Sequence, residues 1–251
     1  MGSYDLAGKR ALVTGGGSGI GLATARLYRQ NGARVAIWGR SASRLEAAKA
    51  ALGDDVVTAS VDVSDGAQVR AAAERLLAEW GGLDILFNCA GHSVGFGPFT
   101  TLGEDIWRGA MAVNLDSVWH TCQAFLPSML AQGWGRIVNT TSQAAKDGSP
   151  QMIPYVAAKA GVIGLTKALG RELATTGVLV NAICPTVFDT PLVEETAAKS
   201  PEAMAAAVKL IPMQRMGRPE EAAELVAWLS SPACSFNTGV TFDLSGGRAV
   251  Y

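Results

Sequence analysis

The chain has only two histidines and four cysteines, and neither type occurs in pairs. His92 and His120 lie far apart without ligand spacing, so no metal site is expected. Cys89, Cys122, Cys184 and Cys234 stand singly, each in or beside an apolar run. That pattern predicts buried free thiols in a reducing compartment, not a disulfide framework. No apolar run approaches ~18 residues, so no helical membrane span is expected. Met1 to Gly8 carries no apolar core of a signal peptide, and the expected location is cytoplasmic. Neither sign of charge dominates, with 21 basic residues against 22 acidic ones, which argues against a nucleic-acid partner. Pro/Ser linkers, low-complexity tracts and internal repeats are also missing, so the 251 residues read as one domain.

Apolar residues, in contrast, make up 49% of the chain, enough for a sizeable core. They fall into short runs separated by helical patterns. Strands are expected at Lys9 to Thr14, Arg34 to Trp38, Val56 to Val61, Leu83 to Asn88, Gly135 to Thr141, Val178 to Cys184 and Val240 to Leu244. Helices are expected from the glycine loop to about Asn31, from Ala42 to Leu52 behind a Ser41 cap, and from Ser64 or Asp65 to Trp80. One long helix is expected from Gly103 to Ala131, another from Tyr155 to Leu173, and a last one from Pro219 to Leu229. Two short helical pieces fill Pro191 to Leu210, within a stretch of about 190–212 that reads as a substrate lid. Strands alternating with helices, each strand nearly all apolar, predict an α/β fold: a doubly wound parallel sheet with helices on both faces.

Two motifs carry chemistry. Gly15-x-x-x-Gly19-x-Gly21 lies between the first strand and the first helix. Glycines there allow a sharp turn and close approach to a pyrophosphate, which the helix N-terminus then holds. Tyr155 and Lys159 are spaced i, i+4 in a helix with little other charge, so both point the same way. A free Tyr titrates near ~10. A cation beside it favours the phenolate and is expected to lower its pKa by ~1–3 units, which suits proton exchange with a substrate oxygen.

Thr14-Gly-x-x-x-Gly-Ile-Gly21, Asn88-Cys-Ala-Gly91, Asn114, Ser142, Tyr155-x-x-x-Lys159 and Pro185 occur in one order and spacing. In this the whole chain resembles the short-chain dehydrogenase/reductase family. The resemblance implies a Rossmann-type sheet of seven strands in order 3-2-1-4-5-6-7 and hydride transfer between a nicotinamide cofactor and a ketone or secondary alcohol. It also implies a homotetramer acting on a small molecule. By the same resemblance Tyr155 is the acid/base and Lys159 tunes it and holds the nicotinamide ribose. Ser142 would donate to the substrate oxygen, and Asn114 would hold a water leading to Lys159. Read without the family, Ser142 is an exposed loop serine and Asn114 a plain surface residue.

The cofactor set implied by the family is Gly15, Ser18, Gly19, Ile20, Gly21, Arg40, Asp62, Val63, Asn88, Ala90, Gly91, Tyr155, Lys159, Pro185, Val187 and Thr190. At the end of the second strand, Trp38-Gly39-Arg40 has Gly39 where NAD enzymes of the family carry Asp, and Arg40 where NADP enzymes carry Arg. NADP is therefore favoured over NAD, although Arg40 also reads as a solvated cation covering adenine. A second basic residue expected near Ser18 is absent. Asp62 reads either as an adenine contact or as a helix-capping loop residue.

The expected substrate side comprises His92, Ser142, Gln143, Gln151, Tyr155, Phe188 and Leu192, with Gln143 and Gln151 equally readable as exposed loop residues. Pro185-Thr186 replaces the family's usual Pro-Gly, a variant familiar among relatives acting on sugars and polyols. Few bases stand near the pocket loops, Lys146 being the clear one. A sugar, sugar-acid or polyol substrate is favoured over a 3-oxoacyl thioester on acyl carrier protein, and a catalytically silent cofactor sensor ranks below both. The tail from Arg248 to Tyr251 is expected near a neighbouring subunit's active site.

Overall fold

The computed structural model describes residues 4–249, apart from the side chains of Leu192, Thr196 and Lys199. Seven strands form one parallel sheet in the order β3-β2-β1-β4-β5-β6-β7. They are β1 (Arg10–Thr14), β2 (Arg34–Gly39), β3 (Val57–Ser60), β4 (Ile85–Asn88), β5 (Gly135–Thr140), β6 (Val178–Pro185) and β7 (Thr241–Leu244). Helices α1 (Gly19–Gln30), α2 (Ala42–Leu52) and α3 (Gly66–Trp80) link the first four strands. After β4 come α4 (Glu104–Met111), α5 (Ser117–Gln132), α6 (Gln143–Asp147) and α7 (Ile153–Glu172). The chain ends through α8 (Pro191–Lys199), α9 (Pro201–Lys209) and α10 (Pro219–Ser230).

Alternation along each strand sends side chains to opposite faces. Val13, Ile37, Ile85, Phe87 and Val138 pack with Tyr28 of α1 and Val226 of α10. Leu12, Trp38, Leu86 and Ile137 pack the other way, with Val69 of α3, Phe125 of α5 and Val162 of α7. Trp38 and Phe125, both fully buried, meet with ring centroids 5.6 Å apart in a tilted pair, a geometry worth ~0.5–1.5 kcal/mol beyond the area buried. Burial on both faces is what makes the strands continuous apolar runs.

Sheet order reverses at β1 and β4. Such a switch point opens a crevice beyond the carboxyl ends of the strands. Thr14 closes its floor, its Oγ1 accepting from the backbone N–H groups of Cys89 and Ala90, each at 3.1 Å. Behind it a chain of buried side chains crosses four elements. Thr121 of α5 donates to Asn88 Oδ1 (2.8 Å), Asn88 Nδ2 to Asn139 Oδ1 (2.9 Å), and Asn139 Nδ2 to Thr166 Oγ1 of α7 (3.0 Å). This ladder fixes α7 against the middle of the sheet.

Two elements depart from expectation. The single helix from Gly103 to Ala131 is broken by a π-helical turn, Ala112–Asp116. Asn114 causes the break locally. Its Nδ2 donates to Ala110 O (3.1 Å) and His92 O (3.0 Å), and its Oδ1 accepts from His92 N (3.2 Å). A side chain that bonds the helix's own carbonyl and an outside loop loosens the regular ladder, and single π turns are frequent at functional sites. The second departure is α6, a five-residue helix that the apolar periodicity does not reveal. It is capped by Ser142, whose Oγ accepts from Ala144 N at 3.2 Å, and it ends at Gly148 with φ 68.

Candidate active site

A cleft of about 450 Å³ opens at the switch point. Its floor is the loop after β1. Gly21 packs so closely that an added Cβ would lie 2.3 Å from Gly15 O, so the turn admits only glycine there. Ser18 precedes α1 with extended dihedrals, makes no side-chain cap bond, and is followed by no acid in the first turn. The first-turn N–H groups of a twelve-residue helix thus face the cleft with neither capping hydroxyl nor competing carboxylate, an arrangement suited to an anion.

The loop after β4 forms the opposite wall. Gly91 has φ 154, and a Cβ on it would sit 2.7 Å from Asn114 Oδ1 and 3.2 Å from Lys159 Nζ. Asn114 and Lys159 therefore converge on this glycine. Lys159 is buried, 3% exposed, and its Nζ donates to Thr140 O at 2.8 Å. Thr141 Oγ1 donates to the backbone carbonyl of Lys159 (3.0 Å), clamping α7 onto the end of β5. Tyr155 lies one turn earlier on the same face, its ring centroid 6.0 Å from Lys159 Nζ. Pro154 sits in the first turn, where its missing N–H does no harm.

The titration behaviour differs from the sequence expectation. Burial raises the Tyr155 pKa above the usual phenol range, and the Ser142 hydroxyl beside it works in the lowering direction. Lys159 is itself pushed down to about 8 by burial. Loss of water around the phenol thus outweighs the hydrogen bond from Ser142, and Lys159 stands 6.0 Å from the ring centre. His92 is lowered from its ordinary value, first by burial and then by the Arg40 and Lys159 charges, with Asp62 acting the other way. Cys89, also lining the cleft, is pushed up to about 11 by burial and is a thiol.

Of the residues expected at the cofactor, Gly15, Ser18, Gly19, Ile20, Gly21, Arg40, Asp62, Val63, Ala90, Gly91, Tyr155, Lys159, Pro185 and Thr190 line this one cleft. Asn88 and Val187 do not. Asn88 is spent on the buried ladder, and Val187 O accepts from Gly217 N (3.0 Å) outside the cleft. Asp62 Oδ1 accepts from both Ser64 N (3.0 Å) and Ser64 Oγ (2.6 Å), so it shapes its loop while facing the cleft.

On the substrate side His92, Ser142, Tyr155 and Phe188 reach the cleft; Gln143 and Gln151 do not. Gln143 is 1% exposed and donates Nε2 to Asp147 Oδ1 at 2.6 Å. Gln151 is exposed with φ 60 and offers its carbonyl to Gly97 N. The Gln143 side chain is thus committed to Asp147, whereas Gln151 engages only its backbone carbonyl. The Leu192 side chain lies outside the described residues.

The sequence reading missed Arg44. It sits in the first turn of α2, lines the cleft, and packs against Gly17 of the glycine loop, where a Cβ would lie 3.4 Å from Arg44 Cβ. The second base sought near Ser18 in sequence arrives instead from one helical turn beyond Arg40. Among the described residues no carboxylate pairs with Arg40, while Arg44 pairs with Glu195 of α8 at 3.1 Å. Thr140 and Thr141 are further polar lining residues not singled out beforehand, and Thr186, noted for its place after Pro185, lines the cleft as well.

A doubly wound parallel sheet, a glycine-walled anion cradle at its switch point and a buried Tyr–Lys pair beside that cradle define a dinucleotide-dependent oxidoreductase class. Residues 15–249 match the family model described as enoyl-(acyl carrier protein) reductase, adh_short_C2. The chain is 40% identical to 2-dehydro-3-deoxy-L-rhamnonate dehydrogenase (NAD(+)) of a Sphingomonas species, covering 98% of this chain and 97% of that one. It is 36% identical to a 3-oxoacyl-(acyl-carrier-protein) reductase of Chlamydia pneumoniae, covering 96% and 97%. A crystal structure of an actinorhodin polyketide ketoreductase with NADPH superposes with a TM-score of 0.92 at 34% identity, covering 97% and 98%. The chain belongs to the short-chain dehydrogenase/reductase family.

Proposed function

We propose that this protein moves a hydride between NADP and a ketone or secondary alcohol, and that the substrate is a sugar, sugar acid or polyol. The observation that carries the reading is the convergence of Ser142, Tyr155 and Lys159 on the cleft floored by the glycine loop. Bound there, the nicotinamide supplies or accepts the two electrons. Tyr155 exchanges the proton at the substrate oxygen, and Ser142 donates to that oxygen as charge develops. Lys159 contributes an ammonium whose proton is only loosely held, its pKa being about 8. Asn114, through the backbone of His92, keeps the Gly91 wall at its distance from Lys159.

Arg40 and Arg44 support NADP: two guanidiniums face one end of the cleft with no acid on Gly39 to repel a 2′-phosphate. The relative named as NAD(+)-dependent makes NAD the competing reading. The sugar reading is supported by the polar lining at Ser142, Thr186 and His92, and by the rhamnonate dehydrogenase relative. It gains from Lys146, the clear base of the pocket loops, being held by Asp243 at 2.7 Å and so not free for an acidic carrier. The competing thioester reading draws on the carrier-protein reductase relative. Residues 190–212 form the lid in this scheme, and the active assembly is a homotetramer.

A panel of sugar acids, polyols, simple ketones and a 3-oxoacyl thioester, each with NADPH/NADP and NADH/NAD, tests the proposal through nicotinamide absorbance. Turnover of a hydroxylated substrate is the expected result. Turnover confined to the thioester selects the competing reading, and none at all in any pair rejects both.

A further inference from the structure

The C-terminal turn does something that neither the family motif nor the cleft lining requires. Ser245 follows β7, and Gly246 (φ 58) and Gly247 (φ 91) fold the chain back. Arg248 N donates to Ser245 O (3.2 Å) and Ala249 N to Ser245 Oγ (3.0 Å), closing the turn. It delivers Arg248 to α6 of the same chain. Arg248 Nε and Nη2 both reach Asp147 Oδ2, at 2.9 and 2.7 Å. The other carboxylate oxygen of Asp147 takes Gln143 Nε2 at 2.6 Å. Arg248 Nη1 donates to Thr186 Oγ1 at 3.4 Å. A parallel pair, Lys146–Asp243 at 2.7 Å, braces the same helix to β7.

These pairs are largely shielded, with side chains 17% and 24% exposed for Arg248 and Asp147. Exposed pairs such as Arg108–Glu104 (75% and 74%) contribute little. A five-residue helix cannot hold itself, and Ser142 is its cap. Thr186, which departs from the family's glycine, supplies the hydroxyl that Arg248 uses.

We propose that Arg248 is a positioning residue for Ser142: through Asp147 it clamps α6, and through Thr186 it ties that helix to the end of the neighbouring strand β6. The proposal rests on the reading of Ser142 as a substrate-oxygen donor. Tyr155 faces Ser142, Lys159 of its own helix and Cys184 of β6. If the brace goes and Ser142 drifts, Tyr155 loses the hydroxyl that draws its pKa down.

Arg248→Gln is therefore expected to lower kcat about tenfold and to move the pH midpoint of kcat to the alkaline side, while leaving the Kd of the cofactor unchanged. Arg248→Lys, which still reaches Asp147, restores most of the rate. Asp147→Asn, isosteric and able to keep Gln143, repeats the loss and adds little to Arg248→Gln. Hydrogen exchange gives a second readout that needs no substrate: amides of 143–148 exchange faster in Arg248→Gln than in wild type, those of 157–170 alike. Unchanged exchange at 143–148, or a folded variant with wild-type kcat and pH midpoint, overturns the proposal. If wild type turns over none of the panel, the oxidoreductase reading has failed instead, and the exchange data alone decide whether the clamp exists.

Discussion

Lys159 destabilises the fold that displays it. Its pKa falls from 10.5 to about 8 because burial disfavours the ammonium. Between those values the unfolded chain binds more protons than the native one, so stability rises with pH across that window. Below about pH 8 the full penalty applies, ~3 kcal/mol at ~1.4 kcal/mol per unit. Lys159→Met removes the penalty but leaves Thr140 O without its donor, which returns ~1 kcal/mol or more. The ligand-free variant is expected to melt higher than wild type at pH 7, with the gap closing toward pH 10, and to lose turnover. Thermal melts across pH check this, and equal melting at pH 7 would contradict it. Tyr155→Phe acts on chemistry alone. It should keep the fold and cofactor affinity and lose ~10²–10⁴ in kcat, and near-normal turnover would remove Tyr155 from the mechanism.

At the scale of elements, the ladder Thr121–Asn88–Asn139–Thr166 links α5, β4, β5 and α7. Asn139→Leu leaves Asn88 Nδ2 with only Cys122 Sγ at 3.8 Å and takes from Thr166 Oγ1 the donor it accepts from, both in a dry interior. A loss of ~1–3 kcal/mol per orphaned group is expected in denaturant melts, and a loss under 1 kcal/mol would mean the ladder holds nothing. This ladder marks where sequence reading stops. Strands and the major helices are legible because apolar alternation and caps such as Asp65, which accepts from Ala67 N and Gln68 N, are local signals. The glycine loop and Tyr155–Lys159 are legible because spacing alone sets a shared face. Sequence shows the neighbourhood of Asn88 to Gly91 but not its partner Asn139, which faces it from the adjacent strand β5, 51 residues on. Gln143 and Gln151 are similar: polarity near a pocket loop does not reveal which way a side chain turns, and Gln143 turns to Asp147. Arg44 went unseen because its proximity to Gly17 arises from α2 folding back over the glycine loop.

The whole molecule offers a cofactor test that needs no substrate. A ligand that binds only the native state stabilises it by RT ln(1 + [L]/Kd), ~2.7 kcal/mol at a hundredfold excess over Kd. For a chain of 251 residues each kcal/mol moves the melting temperature by roughly 2–4 °C. If Arg40 and Arg44 both engage a 2′-phosphate, NADPH should bind at least tenfold tighter than NADH. At equal concentrations well above both dissociation constants, that is ~1.4 kcal/mol, or about 3–6 °C more stabilisation by NADPH. Arg40→Gln and Arg44→Gln should each shrink the difference without altering the NADH shift, since the Cβ of residue 44 that packs on Gly17 is kept. Arg44 starts from its pairing with Glu195 on α8, so a phosphate must compete with that carboxylate. Glu195→Gln therefore widens the NADPH–NADH gap, and only when Arg44 is present. Equal shifts for the two cofactors, untouched by any of these substitutions, would place the guanidiniums outside cofactor choice and return the reading to NAD.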